Sequence, residues 1–190
     1  MNEARNRDLL LKTTHPLCFD VNVIYTNTAF RELFTALGEN GFSSKRRVCV
    51  PSSVVAERVR QSLAKYGEDF DVNLIDRALA SRGVEVIPFD RAGALTSFGE
   101  AVKDFASNDA WHPKKTSCET GKAEHGCGQS CRFADHLAYA TARSINAILV
   151  TGDGQLADTV VKHNYEPGVI YLEQVGNVQR YMQFLKLLNL

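Results

Sequence analysis

The stretch FADHLAYATARSINAILVTGDGQLAD, residues 133–158, decides the fold. Its first half is an alanine-rich helical run, predicting a helix over 132–144, and AILVT (147–151) is a short apolar run that reads as a buried strand. The residues after the TGD turn enter a second helix, 154–163. Small side chains at Ala134, Ala138, Ala140 and Ala142 let the first helix lie close on a sheet and need no other role. A helix running into a buried strand and out into another helix is the unit from which parallel sheets are built. The same stretch sets Asp135 in the first turn of the helix and Asp153 just past the strand.

Outward from this unit the pattern repeats. PLCFDVN (16–22) is an apolar run ending in an acid, and a helical pattern follows it through Val23, Ile24, Phe30, Leu33, Phe34 and Leu37. RVCVPS (47–52), VEVIPF (84–89) and GVIYL (168–172) read as further strands. Ser52 or Ser53 is the expected N-cap of a helix carrying Val55, Val59 and Leu63. A helix over 70–82 would place Phe70, Leu74, Ile75, Ala78 and Leu79 on one face and stop at Gly83. Helical patterns also cover 91–106 and 176–190. Strands that are apolar throughout, alternating with helices, predict an α/β chain: a three-layer α/β/α sandwich with a mainly parallel central sheet.

A chain of 190 residues is expected to form one domain. Lys+Arg and Asp+Glu are both 22, and a net charge of zero argues against a protein that coats nucleic acid by bulk electrostatics, while leaving room for local basic patches. No apolar run is long enough for a bilayer and MNEARNRDLLLKTTHP lacks a signal-peptide core, so a cytoplasmic protein with no membrane contact is expected. Five cysteines in such a chain do not suggest a disulfide framework. Three of them fall in a polar segment at about 107–131 that reads as an insertion. There Cys118, His125, Cys127 and Cys131, with His112 or His136 in reserve, suit a structural Zn²⁺ in type but lack the tight pairing of familiar zinc sites. A loop with reduced thiols is the other reading. Lys114, Lys115, Lys122 and Arg132 suit RNA phosphates under either, while Trp111 reads as a loop anchor before a base-stacking platform. Lys45, Arg46 and Arg47 read as a solvated strand entry.

In open α/β sheets, ligand sites form beyond the carboxyl ends of the strands. Asp20 and Asp153 end the first and fourth predicted strands there. Glu57 belongs to the first turn or so of a helix leaving that edge, and the helix of Asp135 must start at the same edge in order to run back into strand 147–151. Asp20, Glu57, Asp135 and Asp153 therefore converge on one rim. Clustered carboxylates repel one another unless a cation neutralises them, and oxygen donors suit Mg²⁺ or Mn²⁺. Such a centre can activate water and steady a phosphodiester transition state.

Through FDVNVI (19–24), PSSVVAERV (51–59), VEVIPFD (84–90) and ADHLAYATARSINAILVTGD (134–153), the chain resembles the PIN-domain ribonucleases, including VapC-type toxins. The resemblance covers most of the chain. It implies a PIN-like fold and a Mg²⁺- or Mn²⁺-dependent endoribonuclease, often a homodimer. The metal-holding acids would be Asp20, Glu57, Asp135 and Asp153, supported by Asn22 and the Thr151 hydroxyl. The partners implied are an RNA substrate and, for a toxin of a toxin–antitoxin pair, a cognate antitoxin. A non-catalytic PIN-like module that binds RNA or a protein is the alternative.

Overall fold

Four or five apolar residues bounded by turns can remain extended only if both faces of the resulting strand are covered. The computed structural model describes residues 3–24, 46–67, 70–89, 96–101, 103 and 133–172, and it meets this condition with layers on each side. In chain order the elements are α1 (Glu3–Lys12), β1 (Leu17–Phe19), α2 (Val21–Ile24), β2 (Val48–Pro51), α3 (Ser52–Tyr66) and α4 (Asn73–Ala80). Then come β3 (Val84–Ile87), α5 (Phe133–Ser144), β4 (Ile148–Thr151), α6 (Gly154–Lys162) and β5 (Val169–Tyr171). Residues 96–101 are also helical.

The five strands are all parallel and lie in the order β3-β2-β1-β4-β5. Alternate side chains enter opposite faces of the sheet. Leu17, Phe19, Val48, Val50, Ile148 and Val150 join a core with Leu10 of α1, Val21 and Val23 of α2, Val54 and Val55 of α3 and Leu79 of α4. Cys18, Cys49, Leu149 and Val169 join the opposite core with Tyr139, Ala140 and Ala142 of α5 and Leu156, Ala157 and Val160 of α6. The chain thus adopts the expected three-layer α/β/α arrangement. Each fully buried Leu or Phe contributes about 1.5–3 kcal/mol, and Leu17, Phe19, Leu149 and Leu156 are all fully enclosed. Ala138, Ala140 and Ala142 have no exposed surface, as a helix lying close on a sheet requires; the side chain of Ala134 lies outside the described residues.

From β1 the chain steps outward to β2 and β3, then returns across the sheet to place β4 on the other side of β1. The reversal falls between β1 and β4, the position at which an open α/β sheet parts to leave a crevice at its carboxyl edge.

Several elements differ from what the sequence alone predicts. The N-terminal helix α1 was not expected, and what fastens it is Arg46, which is buried rather than solvated. Its guanidinium donates to the carbonyls of His15 (2.5 Å), Leu10 (2.8 Å) and Leu9 (3.4 Å) and to Thr13 Oγ1 (2.9 Å). It thereby caps carbonyls that the end of a helix leaves open. Burial pushes the Arg46 guanidinium down to about 10, which leaves it charged at neutral pH. The N-cap of α3 is Pro51, with extended backbone and no side-chain cap bond, so Ser52 and Ser53 are already helical. Proline suits this junction because it ends the strand ladder without needing a donor. Helix α4 starts only at Asn73; Phe70 precedes it and stacks on Tyr66, while Leu74 is 51% exposed. Gly83, with φ 67°, makes the turn that follows α4. Of the pattern at 91–106, residues 96–101 and 103 are helical. The patterns through Phe30, Leu33, Phe34 and Leu37 and over 176–190 lie outside the described residues, as does the segment 107–131. Among the described residues, no helix is long and apolar enough to cross a membrane.

Candidate functional site

β1 and β4 are adjacent and parallel, with Phe19 opposite Val150, so the residues just beyond them meet at the carboxyl edge. The Asp20 amide continues the ladder by donating to the Val150 carbonyl at 3.0 Å. Asp20 is only 1% exposed, and its carboxylate accepts the Val21 amide on Oδ1 (2.7 Å) and the Thr151 hydroxyl on Oδ2 (2.7 Å). The same Thr151 oxygen accepts the Asp153 amide at 3.0 Å. One hydroxyl therefore donates to the acid after β1 and accepts from the backbone of the acid after β4, using both capacities of the group. This is the physical content of the T-x-D spacing. Asp153 Oδ1 in turn accepts the amides of Gln155 (2.8 Å) and Leu156 (3.0 Å), making Asp153 the N-cap of α6. A carboxylate is well placed there, because it meets two open donors and the positive end of the helix dipole.

Glu57 and Asp135 are carried on helices α3 and α5. Glu57 lies in the second turn of α3 rather than the first, is half-buried, and accepts Gln61 Nε2 on Oε1 at 3.1 Å. Asp135 is in the first turn of α5 and half-buried. From Asp135 to the end of α5 at Ser144 the rise is about 14 Å at 1.5 Å per residue. β4 climbs back about 10 Å from Ile148 to Thr151, so the start of α5 lies on the side of the strand's carboxyl end. Helix α3 packs against both α2 and α5, and Ala138 of α5 shares a core with Val54 and Val55 of α3. Asn22 is in α2, directly after the turn that holds Asp20.

The carboxylates alone do not make a finished metal centre. Among the described residues, no three His, Cys, Asp or Glu side chains come together closely enough to hold a metal ion. In chemistry the rim nevertheless fits a hard divalent cation, since its donors are all oxygen. Two further oxygens of α3 are notable. Ser53 Oγ and Gln61 Oε1 are buried without a hydrogen-bond partner, one turn before and one turn after Glu57. Leaving a buried polar atom unsatisfied costs about 1–3 kcal/mol, and such atoms in a native fold often mark a water or an ion. The signal in the sequence was the polar repeat Ser53, Glu57, Gln61 at helical spacing.

The thiols at the base of this region are part of the core. Cys18 and Cys49 are paired across β1 and β2, and both are free and buried. The Cys49 thiol, together with burial, pushes the Cys18 thiol up well above its ordinary range. Cys118, His125, Cys127 and Cys131 lie outside the described residues. His136 meets Phe98 edge to face, with ring centroids 6.3 Å apart. No protein-family model matches the chain, and no curated protein matches it.

Proposed function

We propose that the chain is a PIN-like, metal-dependent endoribonuclease whose site is the carboxyl edge between β1 and β4. The observation that carries this reading is the Thr151 hydroxyl, which joins Asp20 to the backbone of Asp153 at the point where strand order reverses. Asp20, Glu57, Asp135 and Asp153 are the residues that would hold Mg²⁺ or Mn²⁺. Bound there, the cation supplies neutralisation of the phosphodiester's developing charge and a more acidic water. The protein's part is positional. Thr151 and the Val21 amide fix the Asp20 carboxylate, and the α6 amides fix that of Asp153. Charges held rigidly in a site sheltered from water stabilise a transition state without having to reorganise.

The test is cleavage of a single-stranded RNA oligonucleotide with and without Mn²⁺. Asp153→Asn retains a good N-cap and Asp20→Asn retains its acceptor for Val21, so both variants should fold and fail to cut. Cleavage by both at the wild-type rate would remove the proposal. A second reading, a non-catalytic module that binds RNA or a protein, is favoured by one observation. Asp20 and Asp153 already have structural partners, and no group of three metal-ligating side chains of the Asp, Glu, His or Cys type is assembled among the described residues. RNA binding by the wild-type chain without Mn²⁺-dependent cutting would decide for it.

A further inference from the structure

Flat rings stand in a row at the outer end of the carboxyl edge. Phe89 lies two residues past the end of β3 and is 40% exposed. Its ring meets Phe98 edge to face, with centroids 6.2 Å apart, and Phe98 meets His136 in the same way at 6.3 Å. Edge-to-face contact is an arrangement that ring quadrupoles favour, so each ring helps to orient the next. Phe98 is fastened by the helical residues around it: Ala101 is buried in the core, and Glu100 pairs with Arg143 of α5 at 2.7 Å. His136 is in the first turn of α5, the helix that lies over β1, β2 and β4. β3 itself is two strands from β1, about 10 Å at the usual strand spacing. The row therefore runs inward from the edge strand toward the helix above the β1–β4 junction.

Phe89 is set apart from the rest of the exposed apolar surface. Among the described residues, the other exposed large apolar side chains are Leu63, Tyr66, Val72 and Leu74. They belong to the far end of α3 and the start of α4, and α3 begins at the carboxyl edge, directly after β2. An apolar peptide or a lipid surface needs a contiguous apolar patch, and Phe89 offers one ring with another behind it. A braced flat ring suits a flat ligand, and every nucleobase has a π-face to lay on it. We infer that Phe89, braced by Phe98 and His136, is a stacking platform for one unpaired base of a single-stranded RNA lying across the carboxyl edge. The identity of the ligand rests on the endoribonuclease reading above. The span from β3 to β1 corresponds to roughly three stacked nucleotides at about 3.4 Å each, so the stacked base is a near neighbour of the bond presented for cutting. A base inside a duplex is already stacked on both faces, so the platform selects single strands.

The experiment is fluorescence anisotropy with a short labelled single-stranded RNA and with the same sequence as a duplex. Both are measured on the Asp20→Asn chain as parent, so that nothing is cut. Phe89→Leu keeps apolar bulk and removes the π-face, whereas Phe89→Trp keeps a π-face. Phe89→Leu is expected to weaken single-strand binding by about tenfold, within the range for loss of one stacked base, and to leave duplex binding unchanged. The slope of log K against log salt should not move, because no phosphate contact is lost. Phe89→Trp should bind the single strand at least as tightly as the parent. Equal single-strand affinity in Phe89→Leu and its parent overturns the platform, as does an equal loss for the duplex or failure of the parent to bind the single strand. A change in self-association on size-exclusion chromatography, with RNA binding intact, assigns the ring to a contact between copies and overturns it too. Mn²⁺-dependent cleavage by the wild-type chain decides the nuclease reading separately. Cutting combined with full affinity in Phe89→Leu removes only the platform, and Phe89-dependent binding without cutting removes only the nuclease.

Discussion

The Thr151 side chain has no exposed surface, and its hydroxyl sits between two elements that are far apart in sequence. Replacing it with Val preserves shape and β-propensity and removes only the hydrogen bonds. Asp20 then loses a donor at a carboxylate that is almost wholly enclosed, and the Asp153 amide loses its acceptor. Thr151→Val should therefore destabilise the fold by about 1–3 kcal/mol, more than a surface hydrogen bond contributes. Urea unfolding measures this, and Thr151→Ser is the control. If the hydroxyl is what matters, the serine variant recovers most of the loss; if the methyl packing matters, it does not. In the sequence this hydroxyl was marked only by the family resemblance; its bonds to Asp20 and to the Asp153 amide come from the fold. The polar spacing of Ser53 and Gln61 was readable too, but not that Ser53 Oγ and Gln61 Oε1 are left without partners, since that depends on the neighbours the fold supplies.

At the scale of elements, the strands were the most readable parts. Each is a short apolar run whose burial follows from having a layer on both sides, and the edge strand β3 tolerates an exposed Glu85 that pairs with Arg47 at the entry of neighbouring β2. The Arg47 hydrogen bonds hold the Glu85 carboxyl below its usual range. Helix α1 was not readable for a physical reason: EARNRDLLLK is largely polar, and its anchor comes from a residue more than thirty positions away. Arg46 belongs to a basic triplet that looks solvent-facing, yet it reaches under the end of α1 and satisfies three carbonyls and a hydroxyl. Arg46→Met keeps the aliphatic stem and removes every one of those donors. A hydrogen bond to a charged group contributes about 1.5–3 kcal/mol net where it is isolated, and several sharing one guanidinium do not add in full. The net loss should be about 2–3 kcal/mol, since burying the guanidinium offsets part of that gain. Hydrogen exchange resolves where the loss falls. Amides of residues 3–12 should lose protection in the variant well before those of β1, β2 and β4 do. Equal loss across the sheet would mean that Arg46 stabilises the whole fold and does not fasten α1 in particular.

For the molecule as a whole, charge balance and topology pull in different directions. The fold joins Asp20 and the backbone of Asp153 at one edge through Thr151, while the chain carries 22 basic and 22 acidic residues in all. Under the function proposed above, an RNA strand approaching that edge is held either by a cation there or by local basic side chains around it. Only the second mechanism releases many counterions. For single strands the slope of log K against log salt is about −0.7 for each phosphate neutralised. A neutral chain that relies on a cation at its site should contact few phosphates directly, so we expect a slope no steeper than about −3, or roughly four phosphates at that rate. Fluorescence anisotropy of a labelled single-stranded RNA on the Asp20→Asn variant between 50 and 200 mM salt reads this slope without interference from cleavage. A slope of −6 or steeper would reveal an extended basic surface that the overall charge conceals, and would move the grip on RNA away from the β1–β4 edge. A shallow slope together with Mn²⁺-dependent affinity in the wild-type chain would place that grip at the edge itself.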